Sequence, residues 1–227
     1  EKTQEEIYDR FRGRIMFPIT DANERVIGFG GRIFEQIQPK QADPNRVEAK
    51  YINTPQTLIY DKSRVLYGFD KAKQEVRVQN RVVVVEGYMD CVMSHQAGVV
   101  NTVAVSGTAL TGQQLTMIKR LCNTIICSFD TDSAGESATK RSLALASQFE
   151  FERLVIRIPS GKDPADTVYE NPDAWKKAVG EAKPVVEFYI EKIFRTEDPN
   201  TAAGKKAIGA VLLPLIAEIG NEVEKAH

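Results

Sequence analysis

The sequence predicts an α/β fold in which a parallel β-sheet is flanked by helices. A mixed α+β, basic subdomain precedes the sheet, and a small helical segment follows it. Continuous apolar runs that alternate with helical patterns predict the parallel sheet, because strands buried on both faces are apolar throughout. Turn-rich strand patterns upstream and purely helical patterns downstream predict the other two parts. We therefore expect three domains, spanning residues 1–75, 76–183 and 184–227.

The composition is that of a globular protein with no distinctive overall charge. The chain has 227 residues, of which 42% are hydrophobic and 27% charged, and its net charge is −1. Its three cysteines lack C-x-x-C spacing, which indicates reduced thiols in a cytosolic protein rather than a disulfide framework or a zinc site. No apolar run approaches the ~20 residues that span a membrane. Both ends are charged and helix-like, which is typical of a fragment of a longer protein.

A β-hairpin is predicted near the start of the chain. Apolar runs at 15–19 and 26–34 flank the turn-forming residues 20–25. The cluster of Gly28, Gly30 and Gly31 could suggest a phosphate-binding loop. It lacks the following helix that a dinucleotide-binding fingerprint requires, so it favours a bulge or a closely packed strand.

The region from Arg10 to Lys73 is locally basic. It contains 12 Lys and Arg residues against 7 Asp and Glu, a balance of +5. Such a surface would suit a nucleic-acid backbone and incoming triphosphates. An ordinary solvated face would have the same composition, so this balance alone does not distinguish the two.

From Arg81 onwards, strand and helix patterns alternate. Helix 133–149 begins with a capping-box signature formed by Ser133 and Glu136. The predicted order is strand 82–86, helix 88–97, strand 100–105, helix 111–121, strand 124–129, helix 133–149, strand 153–158, short helices within 165–180, and helices at 184–195 and 202–226.

Carboxylates follow three of the predicted parallel strands. They are Glu86 and, one helical turn later, Asp90; Asp130 and Asp132; and Asp163 and Asp166. Ligands of open parallel sheets bind beyond the carboxyl ends of the strands, so we expect these acids to converge there. Close carboxylates repel one another unless a cation lies among them. Oxygen ligands favour Mg²⁺ or Mn²⁺ over zinc, and such ions support phosphoryl and nucleotidyl transfer.

Each acid also has a purely structural interpretation. Glu86 could simply end a strand at a turn, Asp132 could cap a helix, and Asp163 could initiate a turn before Pro164. A receiver domain, with Asp130 as a single phosphoacceptor, is a further alternative because it also gathers acids at strand ends. An EF-hand is excluded, since Ala134 and Arg141 occupy ligand positions, and no P-loop motif occurs.

The acidic segments resemble the motifs of the TOPRIM domain. The resemblance lies in Glu86–Asp90, Ser106–Thr111, Phe129–Gly135 and Lys162–Pro164. Motifs at Met16–Ile19, Gly28–Arg32, Lys50–Pro55 and Tyr67–Gly68 extend it upstream, so that the chain resembles the RNA polymerase domain of bacterial replicative DNA primases of the DnaG type. Nearly the whole chain is covered, with the motifs in the order of the family.

This resemblance implies metal-dependent, DNA-templated synthesis of short RNA primers from ribonucleoside triphosphates. Catalysis would involve Glu86, Asp130 and Asp132, with Glu86 also transferring a proton. The implied metal ligands are Glu86, Asp90, Asp130, Asp132, Asp163 and Asp166, with Asp90 in a supporting role and Asp166 the weaker ligand. The implied nucleotide- or template-binding residues are Arg32, Lys50 and Lys62.

Two positions depart from the family pattern. Thr131 replaces the usual glycine between the paired acids, and the usual Asp-Pro-Asp is Asp163-Pro164-Ala165-Asp166, which displaces the last acid by one residue.

The same resemblance implies the partners and the setting. We expect a single-stranded DNA template, ribonucleoside triphosphates, an RNA–DNA hybrid product and a monomer in the bacterial cytoplasm at the replication fork, without membrane attachment. A replicative helicase would bind a C-terminal region, and zinc a separate N-terminal module, both outside this sequence. The alternative from a different class is a non-catalytic nucleic-acid-binding fragment whose acids act only as caps and turns.

Overall fold

The chain divides into two units, Glu1–Asp61 and Lys62–His227. The computed structural model describes residues 9–34, 49–107, 109–128, 141–158 and 162–217. Within these ranges no helix is both long and apolar enough to cross a membrane. The three domains anticipated from the sequence stay a prediction.

The first unit is built on a three-stranded antiparallel sheet. Its strands are β1 (Arg14–Thr20), β2 (Val26–Ile33) and β3 (Tyr51–Asn53), in the order β1-β2-β3. The predicted hairpin is thereby confirmed. Asp21 stabilises its turn, because its carboxylate accepts hydrogen bonds from the backbone N–H groups of Asn23 and Arg25 at 2.8 and 3.0 Å.

The glycines of β2 are places of close packing. A Cβ on Gly28 would lie 3.3 Å from Thr54 and Tyr60, and one on Gly31 would lie 2.7 Å from the Phe11 ring. All three glycines pair within the strand ladder. The prediction of a closely packed strand rather than a phosphate-binding loop is therefore confirmed.

The second unit contains the predicted parallel sheet. Its strands are β4 (Arg81–Val85), β5 (Thr102–Ala104), β6 (Thr124–Cys127), β7 (Glu152–Val155) and β8 (Lys183–Pro184). They lie in the order β5-β4-β6-β7-β8. The first four are parallel, and the two-residue β8 adds an antiparallel edge that the sequence did not predict.

Helices surround this sheet. They are α1 (Phe69–Gln79), α2 (Tyr88–Gln96), α3 (Gly112–Lys119), α4 (Pro164–Glu170), α5 (Pro172–Gly180), α6 (Val185–Ile193) and α7 (Ala202–Ala217). Residues 141–147 are also helical, whereas the predicted start of that helix at Ser133 lies outside the described residues. Helix α1 was not predicted.

Both faces of the sheet are buried, as the apolar strand patterns predicted. Alternation along β4 places Val82 and Val84 in one core and Val83 and Val85 in the other. Helices α1, α3, α6 and α7 contribute side chains to the first core. The second core contains Val168 of α4 together with Trp175 and Val179 of α5. The two layers fix the positions of the residues that follow the strand ends.

Candidate active site at the carboxyl edge of the parallel sheet

Glu86 lies where the sequence places it, directly after β4 at the carboxyl edge of the parallel sheet. Its backbone carbonyl accepts a hydrogen bond from Ser106 N at 2.8 Å, which joins it to the turn after β5. That turn is sharp, because Ser106 and Gly107 have φ angles of 58° and 88°. Glu86 and the Ser106–Gly107 turn therefore occupy the same end of neighbouring strands.

Tyr88 anchors the start of α2 in the core. It is buried and packs edge-on against Tyr67, with the ring centroids 4.8 Å apart. Burial raises the pKa of Tyr67 to about 12, with smaller contributions from Cys91 and Asp70. The two tyrosines thus hold the motif that begins at Glu86 through packing.

Asp90 joins two helix N-termini at this edge. Its carboxylate accepts hydrogen bonds from Gly87 N at 2.9 Å, in the cap of α2, and from Ala165 N at 3.2 Å, in the first turn of α4. The side chain is buried. A carboxylate accepting backbone N–H groups at helix starts is a favourable arrangement, since each start leaves N–H groups without intrahelical partners.

Asp163 caps helix α4. Its side chain accepts a hydrogen bond from Asp166 N at 2.7 Å, and Pro164 occupies the first helical turn. Asp166 itself is exposed. The sequence suggested a turn before Pro164 as the structural role of Asp163, whereas the structure gives this residue the N-cap of α4. Metal binding by Asp163 and Asp166 stays a prediction.

The acids of this edge are only partly described. Asp130 and Asp132 lie outside the described residues, so their predicted place among the other acids stays a prediction. Among the residues that are described, no three His, Cys, Asp or Glu side chains are grouped so that they could hold a metal ion. The predicted donors are all carboxylate oxygens, which fit Mg²⁺ or Mn²⁺ by type. The predicted metal site includes Asp130 and Asp132 and therefore stays a prediction.

Lys62 lies at the same edge as Glu86. It begins a short 3₁₀ turn, Lys62–Arg64, and a Cβ placed on Gly107 would lie 3.7 Å from its amino nitrogen. Partial burial lowers the pKa of this amino group. Lys62, predicted to bind nucleotide or template, therefore lies beside the turn that carries Ser106 and Gly107.

Arg32 and Lys50 belong to the first unit, on either side of the contact between β2 and β3. The Arg32 guanidinium lies 5.8 Å from the centre of the Tyr51 ring, and the Lys50 carbonyl accepts a hydrogen bond from Ile33 N at 2.9 Å. The two basic residues are thus near neighbours within their own unit. Nucleotide or template binding by them stays a prediction.

Gln114 is a polar residue of this region that sequence reasoning missed, and Thr111 was noted only as the last residue of the Ser106–Thr111 motif. They form the capping box of α3, in which Gln114 N donates to Thr111 Oγ1 at 3.1 Å and Thr111 N donates to Gln114 Oε1 at 3.0 Å. The Thr-x-x-Gln spacing carries the signal for this box. Nothing in that spacing indicates that both side chains also bind the turn at Lys62.

Replacing Asp90 by alanine tests its role as the joint between α2 and α4. We expect Asp90→Ala to lower the free energy of unfolding by about 2–4 kcal/mol, because two N–H groups at a largely buried position lose their acceptor. Asp166→Ala is the matched control, and at this exposed position we expect a change within about 0.5 kcal/mol. Urea denaturation followed by circular dichroism measures both. Equal stability of the two variants would contradict the structural role of Asp90.

Comparison with known proteins places this fold in a family. A family model described as the N-terminal domain of the DNA primase catalytic core matches residues 1–73, and one described as Toprim-like matches residues 83–168. The parallel sheet with its flanking helices is thus of the Toprim type.

Solved structures extend the match to almost the whole chain. A DNA primase domain from Pseudomonas aeruginosa is 32% identical, with a TM-score of 0.77, over 96% of this chain and 67% of that one. The RNA polymerase domain of the Mycobacterium tuberculosis primase DnaG is 33% identical, with a TM-score of 0.78, over 96% of this chain and 69% of that one. The chain belongs to the DnaG-type DNA primase family.

Longer relatives show how much of a primase the sequence spans. The DNA primase of Escherichia coli K12 is 37% identical over 224 residues, which are 97% of this chain and 37% of that protein. The DNA primase of Clostridium acetobutylicum is 38% identical over 83% of this chain and 30% of its own length. The chain therefore spans about a third of the curated relatives that it matches.

Proposed function

We propose that this chain is the catalytic core of a DNA primase, which makes short RNA primers from ribonucleoside triphosphates on a single-stranded DNA template. The observation that carries the proposal is that a carboxylate residue and a lysine residue lie at the same edge of the parallel sheet. Glu86 ends β4, and the Lys62 amino group lies beside the turn that follows the neighbouring strand β5. Nucleotidyl transfer uses both kinds of group, because a carboxylate can accept the proton of the attacking hydroxyl and an ammonium group can stabilise the negative charge of the triphosphate.

The residues would divide the work as follows. Glu86 accepts the proton of the hydroxyl that attacks the α-phosphorus of the triphosphate, the bond to the β-phosphate breaks, and pyrophosphate leaves. Lys62 balances the negative charge of the triphosphate. Arg32 and Lys50 hold nucleotide phosphates or the template strand. Mg²⁺ or Mn²⁺, held by Glu86, Asp130, Asp132 and Asp163, with Asp90 supporting and Asp166 as a weaker ligand, would neutralise the charge that develops in the transfer.

Two solved relatives support nucleic acid as a partner. One solved relative is a DnaG primase catalytic domain bound to single-stranded DNA, and another is the Mycobacterium tuberculosis domain in complex with double-stranded DNA. For the present protein we propose a single-stranded template, an RNA–DNA hybrid product and a replicative helicase as partner of the full-length protein. We further propose that it is a monomer and acts in the bacterial cytoplasm at the replication fork.

Primer synthesis by the full-length protein tests the proposal. The assay supplies single-stranded DNA, labelled ribonucleoside triphosphates and Mg²⁺ or Mn²⁺, and it separates the labelled RNA by size. We expect short RNA products that require both the template and the metal. A crystal soaked in Mn²⁺ should show an anomalous peak beside Glu86.

One other result would replace the proposal. Template binding that is unaffected by metal, with no RNA product and no peak, would identify a non-catalytic nucleic-acid-binding protein.

A further inference from the structure

The turn that carries Lys62 is tied to the N-terminus of α3 by side-chain hydrogen bonds. The Gln114 Nε2 group donates to the carbonyls of Val65 and Lys62, at 2.8 and 3.3 Å. The Thr111 hydroxyl donates to the Ser63 carbonyl at 2.5 Å. Two carbonyls of this turn, and that of the following residue Val65, therefore accept hydrogen bonds from two side chains about 50 residues further along the chain.

The amide group of Gln114 has one compatible orientation. Its Nε2 group faces two carbonyl oxygens, and its Oε1 atom accepts from Thr111 N at 3.0 Å. Rotating the amide by half a turn would place oxygen against oxygen and NH₂ against N–H. The side chain is also fully buried. A buried amide whose donors and acceptor are all used is a rigid connection.

The turn that Gln114 and Thr111 bind carries Lys62, whose amino group lies at the proposed active site. Lys62 extends from the turn towards Gly107, where a Cβ would lie 3.7 Å from its amino nitrogen. Ser106, the neighbour of Gly107, donates its backbone N–H to the carbonyl of Glu86. A lysine side chain is flexible but has a fixed length. The position of its backbone therefore sets the region that its amino group can reach.

We infer that Gln114 is a positioning residue, which fixes the backbone of the Lys62 turn and thereby holds the Lys62 amino group at the carboxyl edge of the sheet. The consequence for catalysis rests on the proposed function. If Lys62 binds the triphosphate of an incoming nucleotide, Gln114 sets the affinity for that nucleotide without touching it. Capping α3 needs only the Oε1 acceptor, whereas holding the turn uses the Nε2 donors.

The test replaces Gln114 by methionine in the full-length protein, which keeps the length of the side chain and removes its polar atoms. Asn101→Leu is the matched control, because Asn101 is also a buried amide but donates to the Arg81 carbonyl at the opposite, amino edge of the sheet. Should Gln114→Met fold poorly, Thr111→Val loosens the same turn by removing the bond to Ser63. All assays are run well below the melting temperature of each variant.

Steady-state primer synthesis measures the catalytic consequence. We expect Gln114→Met to raise KM for ribonucleoside triphosphates about tenfold, equivalent to ~1.4 kcal/mol, with little change in kcat. In a Lys62→Ala background the same substitution should raise KM by no more than about twofold, because residues acting through one another are not additive. An equal rise in both backgrounds, or an unchanged KM, would overturn the inference.

Amide hydrogen exchange measures the positioning without any catalysis. Peptides spanning residues 60–68 should exchange faster in Gln114→Met than in the parent protein, and at the parent rate in Asn101→Leu. Unchanged exchange would refute the positioning role even in an active primase. Faster exchange in a protein that makes no primers would refute the proposed function and support Gln114 as the residue that holds the turn.

Discussion

Glu86→Gln in the full-length protein should abolish primer synthesis while the fold persists. The substitution keeps the size of the side chain and removes the charge that would accept a proton and bind a cation. We expect a loss of about 10²–10⁴-fold in kcat, the usual contribution of a positioned acid or base. Primer synthesis on a single-stranded template measures the activity, and circular dichroism with thermal unfolding confirms the fold.

Glu152→Gln provides the control for this result. Glu152 lies at the opposite edge of the same sheet, at the start of β7, where its carboxylate accepts a hydrogen bond from the Thr124 hydroxyl at 2.7 Å. We expect parental activity from this variant. Near-parental synthesis by Glu86→Gln would exclude the role proposed for Glu86. Asp130→Asn, analysed in the same assay, tests the acid pair that lies outside the described residues.

Trp175→Ala should be among the most destabilising single substitutions in the second unit. The indole is fully buried against one face of the sheet, in the core that also contains Val83 and Val85. Truncating a buried tryptophan costs about 3–5 kcal/mol. At this size of unit, the loss corresponds to a fall of roughly 10 °C in Tm. Circular dichroism is the suitable probe, because Trp175 is the only tryptophan in the chain.

Trp175→Phe separates the contribution of ring packing from the contribution of the indole N–H group. The indole N–H is buried and has no hydrogen-bond acceptor within the described part of the chain. Removing it offsets part of the lost packing, so we expect a cost of about 1–2 kcal/mol for phenylalanine. A phenylalanine variant as unstable as the alanine variant would show that the N–H group contributes a favourable interaction.

The parallel sheet could be predicted because its strands carry their own signal. The run of four valines from Val82 is apolar on both faces, and Ile125 and Ile126 repeat that pattern in β6. The hairpin was predicted from its turn residues, among them Asp21, whose side chain bonds the backbone locally. In each case the pattern that carries the prediction lies within a few residues of sequence, although the parallel strands themselves pair with partners much further along the chain.

Other elements gave weaker signals. Helix α1 begins after Gly68, which has a φ of 78° and offers no side-chain cap, so the usual start signal is missing. Its apolar residues Phe69, Ala72 and Val76 do keep helical spacing, and that pattern could have revealed it. Strand β8, with two residues, is too short for any periodicity to appear.

The site was only partly accessible to sequence reasoning because its connections are long-range. The place of Glu86 after a strand followed from local pattern. The bond from Ala165 to Asp90 spans 75 residues, and those from Gln114 to the Lys62 turn span about 50. Such pairs are set by how helices pack against the sheet, which residue spacing does not encode.

Pro184 limits the pairing of strands from other molecules with the edge of the sheet in the second unit. It ends β8, the outer strand on one side of the sheet, and it has no backbone N–H to offer. On the other side, Ala104 of β5 exchanges two hydrogen bonds with Tyr67, at 2.9 and 3.0 Å. Along the described strands, both borders of the sheet are thus short and partly occupied, which hinders a strand of another molecule from adding to them. We expect the unit to resist edge-to-edge aggregation at high concentration.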